Sequence, residues 1–149
     1  TTSEQFDQIV DLNMKGCFLT MKAVLPSMID RRYGKIVNVG GTFGLRGRAL
    51  RMAYSASKWG LRGITKSSAL EVGPHNINVN CVCPGTILPP PDATEDGLKR
   101  IAEMTPLKRI GSPDDAVAAV KFFVEGSDFT SGSILHMDGG RAIVDNPRA

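Results

Sequence analysis

Three short strand-like runs, "KIVNV" from Lys35, "INVNCVC" from Ile77 and "SILHM" from Ser133, are each set apart from the next by segments of helical period. That alternation constrains the fold more than any other feature. A helix between two strands carries the chain back to where the first began, so the strands pair in parallel through right-handed crossovers. The first of them, β-branched and closed by glycines, suits a buried strand. The predicted order is α-β-α-β-α-α-β, an α/β fold of the doubly wound, parallel-sheet kind, with residues 1–149 forming one piece of it.

The helices can be placed from their signals. Thr2 and Gln5 have the spacing of a capping box. Phe6, Val10, Cys17, Met21, Val24 and Met28 then recur at helical intervals, so one long helix is predicted from Ser3 to Asp30, with Pro26 distorting its last turns. Asn13 falls on its apolar stripe, and Gly16 sits mid-helix at a cost of about 1 kcal/mol against alanine. "RMAYSASKWGLRGITKSSALEVG" is a second long helix, ended by Gly73 and Pro74. "ATEDGLKRIAEM" is a short one. The last begins at Ser112, with Pro113 in the first turn and Asp114 and Asp115 favouring the helix dipole.

Composition excludes several classes. With 149 residues, 42% of them hydrophobic, the chain can bury one core. A net charge of +3 and only 6% aromatics offer no basic, aromatic-interleaved face for nucleic acid. No run of eighteen apolar residues predicts a membrane span, and "TTSEQFDQ" has no signal-peptide pattern. The three cysteines fit neither a disulfide framework nor a metal motif, so no metal is expected and a reducing, cytoplasmic setting is. A complete dinucleotide-binding fold opens on a strand, a glycine-rich turn and a helix. No GxGxxG or GxxxGxG motif is present and the chain opens on a helix. It is therefore expected to be the C-terminal portion of a longer protein, its half-sheet carrying one raw edge.

Chemistry concentrates at Tyr54 and Lys58. Four residues apart on a helix, they share a face. An ammonium beside a phenol favours phenolate and lowers the tyrosine pKa from its ordinary value near 10, which suits proton exchange with an alcohol or carbonyl. The spacing alone more often means a tyrosine packed on a sheet and a solvated lysine. The context weighs against that. Tyr54 follows a strand and a loop, where parallel sheets place ligands. Ser55, Ala56, Ser57 and Gly60 leave room around the pair, and a second strand ends at Pro84-Gly85 on the same edge. Asn13 needs a partner too, since burying its amide unpaired would cost roughly 1–3 kcal/mol. That partner is a water in a polar site or a backbone group of a distorted helix.

"DLNMKG", "KIVNV", "YSASK", "NINVNCVCPGTI", "PLKRIGSPDDAVAAVKFF" and "SGSILHMDGG" follow one another across nearly the whole chain. In order and spacing this set resembles the short-chain dehydrogenase/reductase family. The resemblance implies an NAD- or NADP-dependent oxidoreductase acting on a secondary alcohol or carbonyl, a cyclic diol included. Tyr54 would exchange a proton with the substrate oxygen. Lys58 would lower the Tyr54 pKa and bind the nicotinamide ribose, and Asn13 would anchor a water in the proton relay. Pro84, Gly85 and the Ile87 backbone would shape the nicotinamide pocket, while Gly41, Thr42 and Tyr54 would border the substrate. The two long helices, which carry Trp59, Ile64 and Leu70, would pair subunits into a homodimer or homotetramer.

Two departures stand out. The family commonly has a substrate-polarising serine thirteen residues before the tyrosine, and Gly41 stands there. Losing such a donor costs about 3–4 kcal/mol of transition-state stabilisation. Thr42 is the candidate substitute if Gly40 and Gly41 let the chain turn early; a backbone N–H is another, and impaired catalysis a third outcome. Pro89 occupies a place where a carboxamide-binding threonine is frequent, and Pro89 to Pro91 stiffen the segment over the substrate. The competing readings are a non-catalytic cofactor-binding or scaffold member, or an inactive fragment. The choice of NAD or NADP depends on a residue after a strand this chain lacks. Arg46, Arg48 and Arg51, in the loop before Tyr54, point to an anionic or strongly polar substrate, unless they are only a solvated face.

Overall fold

A computed structural model describes residues 1–89 and 93–144. The opening helix starts as its signals require: Thr2 Oγ1 accepts from the Gln5 N–H at 3.3 Å, and the Gln5 side chain accepts from the Thr2 N–H at 3.1 Å. It does not run uniformly. A first segment α1 (Ser3–Val10) passes through a π-helical turn (Asp11–Lys15) into α2 (Gly16–Asp30). Pro26 lies inside α2, which continues to Asp30. Asn13 supplies the reason for the π turn. Its Nδ2 donates to the Ile9 carbonyl at 3.1 Å, the acceptor that a regular α-helix would give to the Asn13 N–H. The ladder steps out by one residue, and the Gly16 N–H reaches back to Asp11.

Strands β1 (Gly34–Val39), β2 (Ile77–Pro84) and β3 (Ile134–Met137) form a parallel sheet with β2 in the middle. Between them lie α3 (Met52–Val72), α4 (Glu95–Glu103) and α5 (Pro113–Glu125), so the predicted order of elements holds. Register runs from Gly34 opposite Ile77 to Val39 opposite Val82, and from Cys81 opposite Ile134 to Pro84 opposite Met137. All three strands therefore end at one edge.

Alternation along the strands splits the core in two. Ile77 and Val79 face α2 and α3, where Met21 and Val72 join them, while Val82 faces Ala119 and Phe123 of α5 on the other side. Helices on both faces make this a Rossmann-like α/β arrangement. Helix α5 is capped as predicted, with Ser112 and Asp115 in a reciprocal box. Arg109 grips the Asp115 carboxylate at 2.7 and 2.9 Å, and with the Ser112 bonds it holds that carboxyl well below the usual range. Among the described residues β1 pairs only with β2, leaving its outer edge open.

Candidate active site

The end of β1 is closed by two glycines that do different work. The Gly40 N–H donates to the Val82 carbonyl at 2.8 Å, which keeps the chain on the sheet for one more residue. A Cβ at Gly40 would lie 2.7 Å from Cys83 Sγ and 3.0 Å from Cys81 Sγ. These two thiols share one face of β2, 3.9 Å apart, and fill the space beneath the turn. Their mutual hydrogen bond pulls the Cys83 pKa down and pushes that of Cys81 up. Gly40 is thus demanded by packing. Gly41 is not: its backbone is extended, with φ of 169°, which any residue adopts, and an added Cβ would meet only the Tyr54 hydroxyl, at 3.5 Å.

The chain then turns early, as the double glycine suggested, into a 3₁₀ turn at Thr42–Gly44. Thr42 Oγ1 donates to the Pro84 carbonyl at 3.0 Å, tying the end of β1 to the end of β2. A hydroxyl has one proton, and here it is committed to that carbonyl. Gly44, which the sequence reading did not single out, seats the turn on α3. A Cβ there would lie 2.8 Å from the Lys58 carbonyl oxygen and 3.0 Å from its carbon. Backbone atoms within a helix cannot move aside, so Gly44→Ala is expected to destabilise the protein by about 1–3 kcal/mol, measured by urea unfolding. A glycine closing a turn three residues past a strand-end pair was the only signal available.

Tyr54 lies in the first turn of α3 and Lys58 one turn further, both half-buried. Phe43 meets the Tyr54 ring edge-on, with centroids 6.2 Å apart. The Lys58 ammonium lies 5.6 Å from the Tyr54 ring centroid and donates to the Val39 carbonyl at 3.0 Å, at the end of β1. Burial raises the Tyr54 pKa above its ordinary value, and the charge that partly offsets this is Arg51, the N-cap of α3. Burial also lowers the Lys58 pKa, against the nearby thiols of Cys81, Cys17 and Cys83.

A polar layer lies below the lysine. Asn38 is buried, accepting from Cys17 Sγ at 3.0 Å and donating to Thr65 Oγ1 at 2.9 Å; Thr65 in turn donates to the Leu61 carbonyl. This chain joins α2, β1 and α3 and fixes their spacing. Asn13 sits in the π turn, which packs on α3 where Met14 meets Gly60; a Cβ on Gly60 would clash with the Met14 sulfur. At the end of β2, the Gly85 N–H donates to the Met137 carbonyl at 2.9 Å, and a Cβ on Gly85 would run into the Asp138 backbone. Ile87 is braced by Gly111, whose N–H donates to the Thr86 carbonyl at 2.9 Å. Pro89 is exposed, and Pro90 and Pro91 lie outside the described residues.

The site thus joins a tyrosine, a lysine, a glycine against the phenol and a Pro-Gly turn at the carboxyl ends of parallel strands. Comparison with known proteins decides what it is. Residues 1–142 match the sequence profile of a family described as "Enoyl-(Acyl carrier protein) reductase". The chain belongs to the short-chain dehydrogenase/reductase family. Among its relatives is the trans-4-hydroxycyclohexanecarboxylate dehydrogenase of Sinomonas cyclohexanicum, 37% identical over 146 residues that cover 97% of this chain and 55% of the relative.

Solved structures of the short-chain dehydrogenase/reductase type superpose closely. A 3-oxoacyl-[acyl-carrier protein] reductase from Brucella melitensis with bound NAD has a TM-score of 0.87 at 29% identity, covering 97% of this chain and 54% of that one. ElxO with NADP bound has a TM-score of 0.86 at 27% identity, covering 97% and 60%. NAD and NADP are thus both cofactors of this chain's relatives. The chain spans a little over half the length of these proteins.

Proposed function

We propose that the complete protein bearing this chain transfers a hydride between NAD or NADP and a secondary alcohol or carbonyl, with Tyr54 exchanging the proton. The observation that carries this reading is the Tyr54 hydroxyl standing 3.5 Å from where a Gly41 Cβ would lie, one helical turn from Lys58, at the carboxyl ends of β1 and β2. The donor set fits the nicotinamide end of the cofactor. Lys58 has two N–H groups beyond the one on Val39, which suit a ribose diol. The Pro84-Gly85 turn and Ile87 offer neutral, braced backbone for a carboxamide. When bound, the nicotinamide supplies or accepts the hydride. Tyr54 holds the proton at its Oη, Lys58 places its positive charge one turn away, and Asn13, its own amide bonded to Ile9, holds a water through the π turn. Residues 1–149 contain no glycine-rich phosphate loop.

The substrate reading follows from the relative's printed name: a ring bearing a secondary hydroxyl is the model, of which a cyclic alcohol or ketone is the simplest case. Trp59 and Leu70 are exposed on α3, which supports pairing of subunits through the long helices as a homodimer or homotetramer. No described helix is long and apolar enough to cross a membrane, and the three free thiols suit a reducing cytoplasm.

One observation favours a second reading, a non-catalytic cofactor-binding member or inactive fragment. Gly41 has no side-chain donor to offer, and the Thr42 hydroxyl is bonded to Pro84. Oxidation of NADH and NADPH by the complete protein, assayed with cyclic and acyclic ketones, separates the two. Cofactor-dependent turnover of any ketone supports the oxidoreductase; cofactor binding without turnover across the panel supports the second reading.

A further inference from the structure

Between Arg31 and Leu70 the sequence holds nine lysines and arginines and no aspartate or glutamate. Most of those near the site are occupied. Lys58 donates to the Val39 carbonyl, and Arg62 donates to the Gly44 carbonyl while covering Trp59. Arg46, one of three arginines expected at the substrate mouth, is also tied up. Its Nη1 donates to the Arg141 and Val144 carbonyls, each at 2.9 Å, and so ties the loop to the segment after β3. Arg46 is a structural brace.

Arg48 and Arg51 are different. Both are exposed, and the five ion pairs among the described residues include neither. The Arg48 guanidinium lies over the Phe43 ring, 5.1 Å from its centroid, and Phe43 in turn lies edge-on to Tyr54. Arg51, the N-cap of α3, precedes Tyr54 by three residues, and Tyr54 and Lys58 then share one face of the helix. The Arg51 N–H donates to the Arg48 carbonyl at 3.2 Å, which holds the two residues in one turn. Among the described residues neither guanidinium has a carboxylate partner; Arg48 reaches the Tyr54 ring through Phe43, and the charge of Arg51 acts on the Tyr54 phenol directly.

We propose that Arg48 and Arg51 clamp a carboxylate of the substrate, which orients it on Tyr54. This inference rests on the oxidoreductase reading above and names the substrate class of that site. It also accounts for a site without a side-chain donor at position 41. Binding energy from a remote carboxylate holds the reacting oxygen in place, as a nearby hydroxyl otherwise would. Guanidinium suits the task because its fork of N–H groups matches a carboxylate edge.

The test uses the complete protein with NADH or NADPH and two isosteric probes, cyclohexanecarboxylate and the neutral cyclohexanecarboxamide, titrated by calorimetry. The unaltered protein should bind the carboxylate ~10-fold or more tightly than the amide, the scale expected for charge-assisted hydrogen bonds. In the double variant Arg48→Gln/Arg51→Gln that preference should fall to about one, and Arg48→Lys/Arg51→Lys should keep part of it. Equal binding of the two probes, undetectable carboxylate binding, or an unchanged preference in the glutamine variant would each overturn the clamp. Hydride transfer measured on the same samples separates the two ideas. Turnover with no carboxylate preference removes the clamp alone; carboxylate preference with no turnover of any ketone removes the oxidoreductase reading.

Discussion

Tyr54→Phe should lower kcat of the complete protein by about 10²–10⁴, the usual worth of a positioned general acid or base, while leaving its melting temperature nearly unchanged. The substitution deletes one hydroxyl and keeps the ring that stands edge-on to Phe43 and beneath Lys58. Among the described residues that hydroxyl has no hydrogen-bond partner, only the Gly41 position at van der Waals distance, so its loss leaves no partner unpaired. The pH dependence has a definite sign. Burial holds the Tyr54 pKa above its ordinary value, so the phenol stays protonated through neutral pH. Carbonyl reduction needs the protonated form; its rate should be flat at neutral pH and fall only as pH rises through that elevated pKa. Alcohol oxidation needs the base, and its rate should climb over the same range. Steady-state rates in both directions, with the phenylalanine variant beside the parent, check this. A variant within a few-fold of the parent would remove Tyr54 from the chemistry.

The second large effect is a gain. Gly41→Ser should raise kcat on a small, unhindered ketone by about 10²–10³, the range set by removal of a single hydrogen-bond donor to a developing oxyanion. The site accepts the change. The Gly41 backbone is already extended, and the new Cβ would stand at ordinary van der Waals distance, 3.5 Å, from the Tyr54 oxygen, so the added hydroxyl lies beside the reacting one. The comparison variant is Thr42→Val. Because the Thr42 hydroxyl ties Pro84 to the turn, its loss should cost about 1 kcal/mol of stability, read from urea denaturation, with little change in kcat. If instead Thr42→Val cost 10²-fold or more in kcat and Gly41→Ser brought no gain, Thr42 would be the donor and the Pro84 bond would have to break in the working site.

Much of this molecule was legible in the chain because it depends on near neighbours. Strands read from β-branched runs, helices from apolar spacing, and the caps at Thr2 and Ser112 from residues three apart. The Tyr54–Lys58 pairing is of the same kind: four residues on a helix share a face whatever surrounds them. The parallel order follows too, because a helix must intervene between strands.

What escaped the sequence depends on residues far apart in the chain. The sequence offered two partners for Asn13, a water or a backbone group of a distorted helix, and only the structure chooses the second: its amide takes the Ile9 carbonyl and the helix breaks into a π turn there. Arg46, Arg48 and Arg51 look alike in a string of letters, and only the fold, by bringing the carbonyls of Arg141 and Val144 to Arg46, shows that one of them is a brace. Likewise "GG" at 40 and 41 reads as one turn element. Tertiary structure divides it, because Cys81 and Cys83, some forty residues on, press against the first glycine, while the second meets only the Tyr54 hydroxyl. The sequence determined which groups could do chemistry, since their types and local spacing are written in it. Which of them are free to act was decided by packing, because a hydroxyl or guanidinium already bonded to a distant carbonyl has that much less to give a substrate.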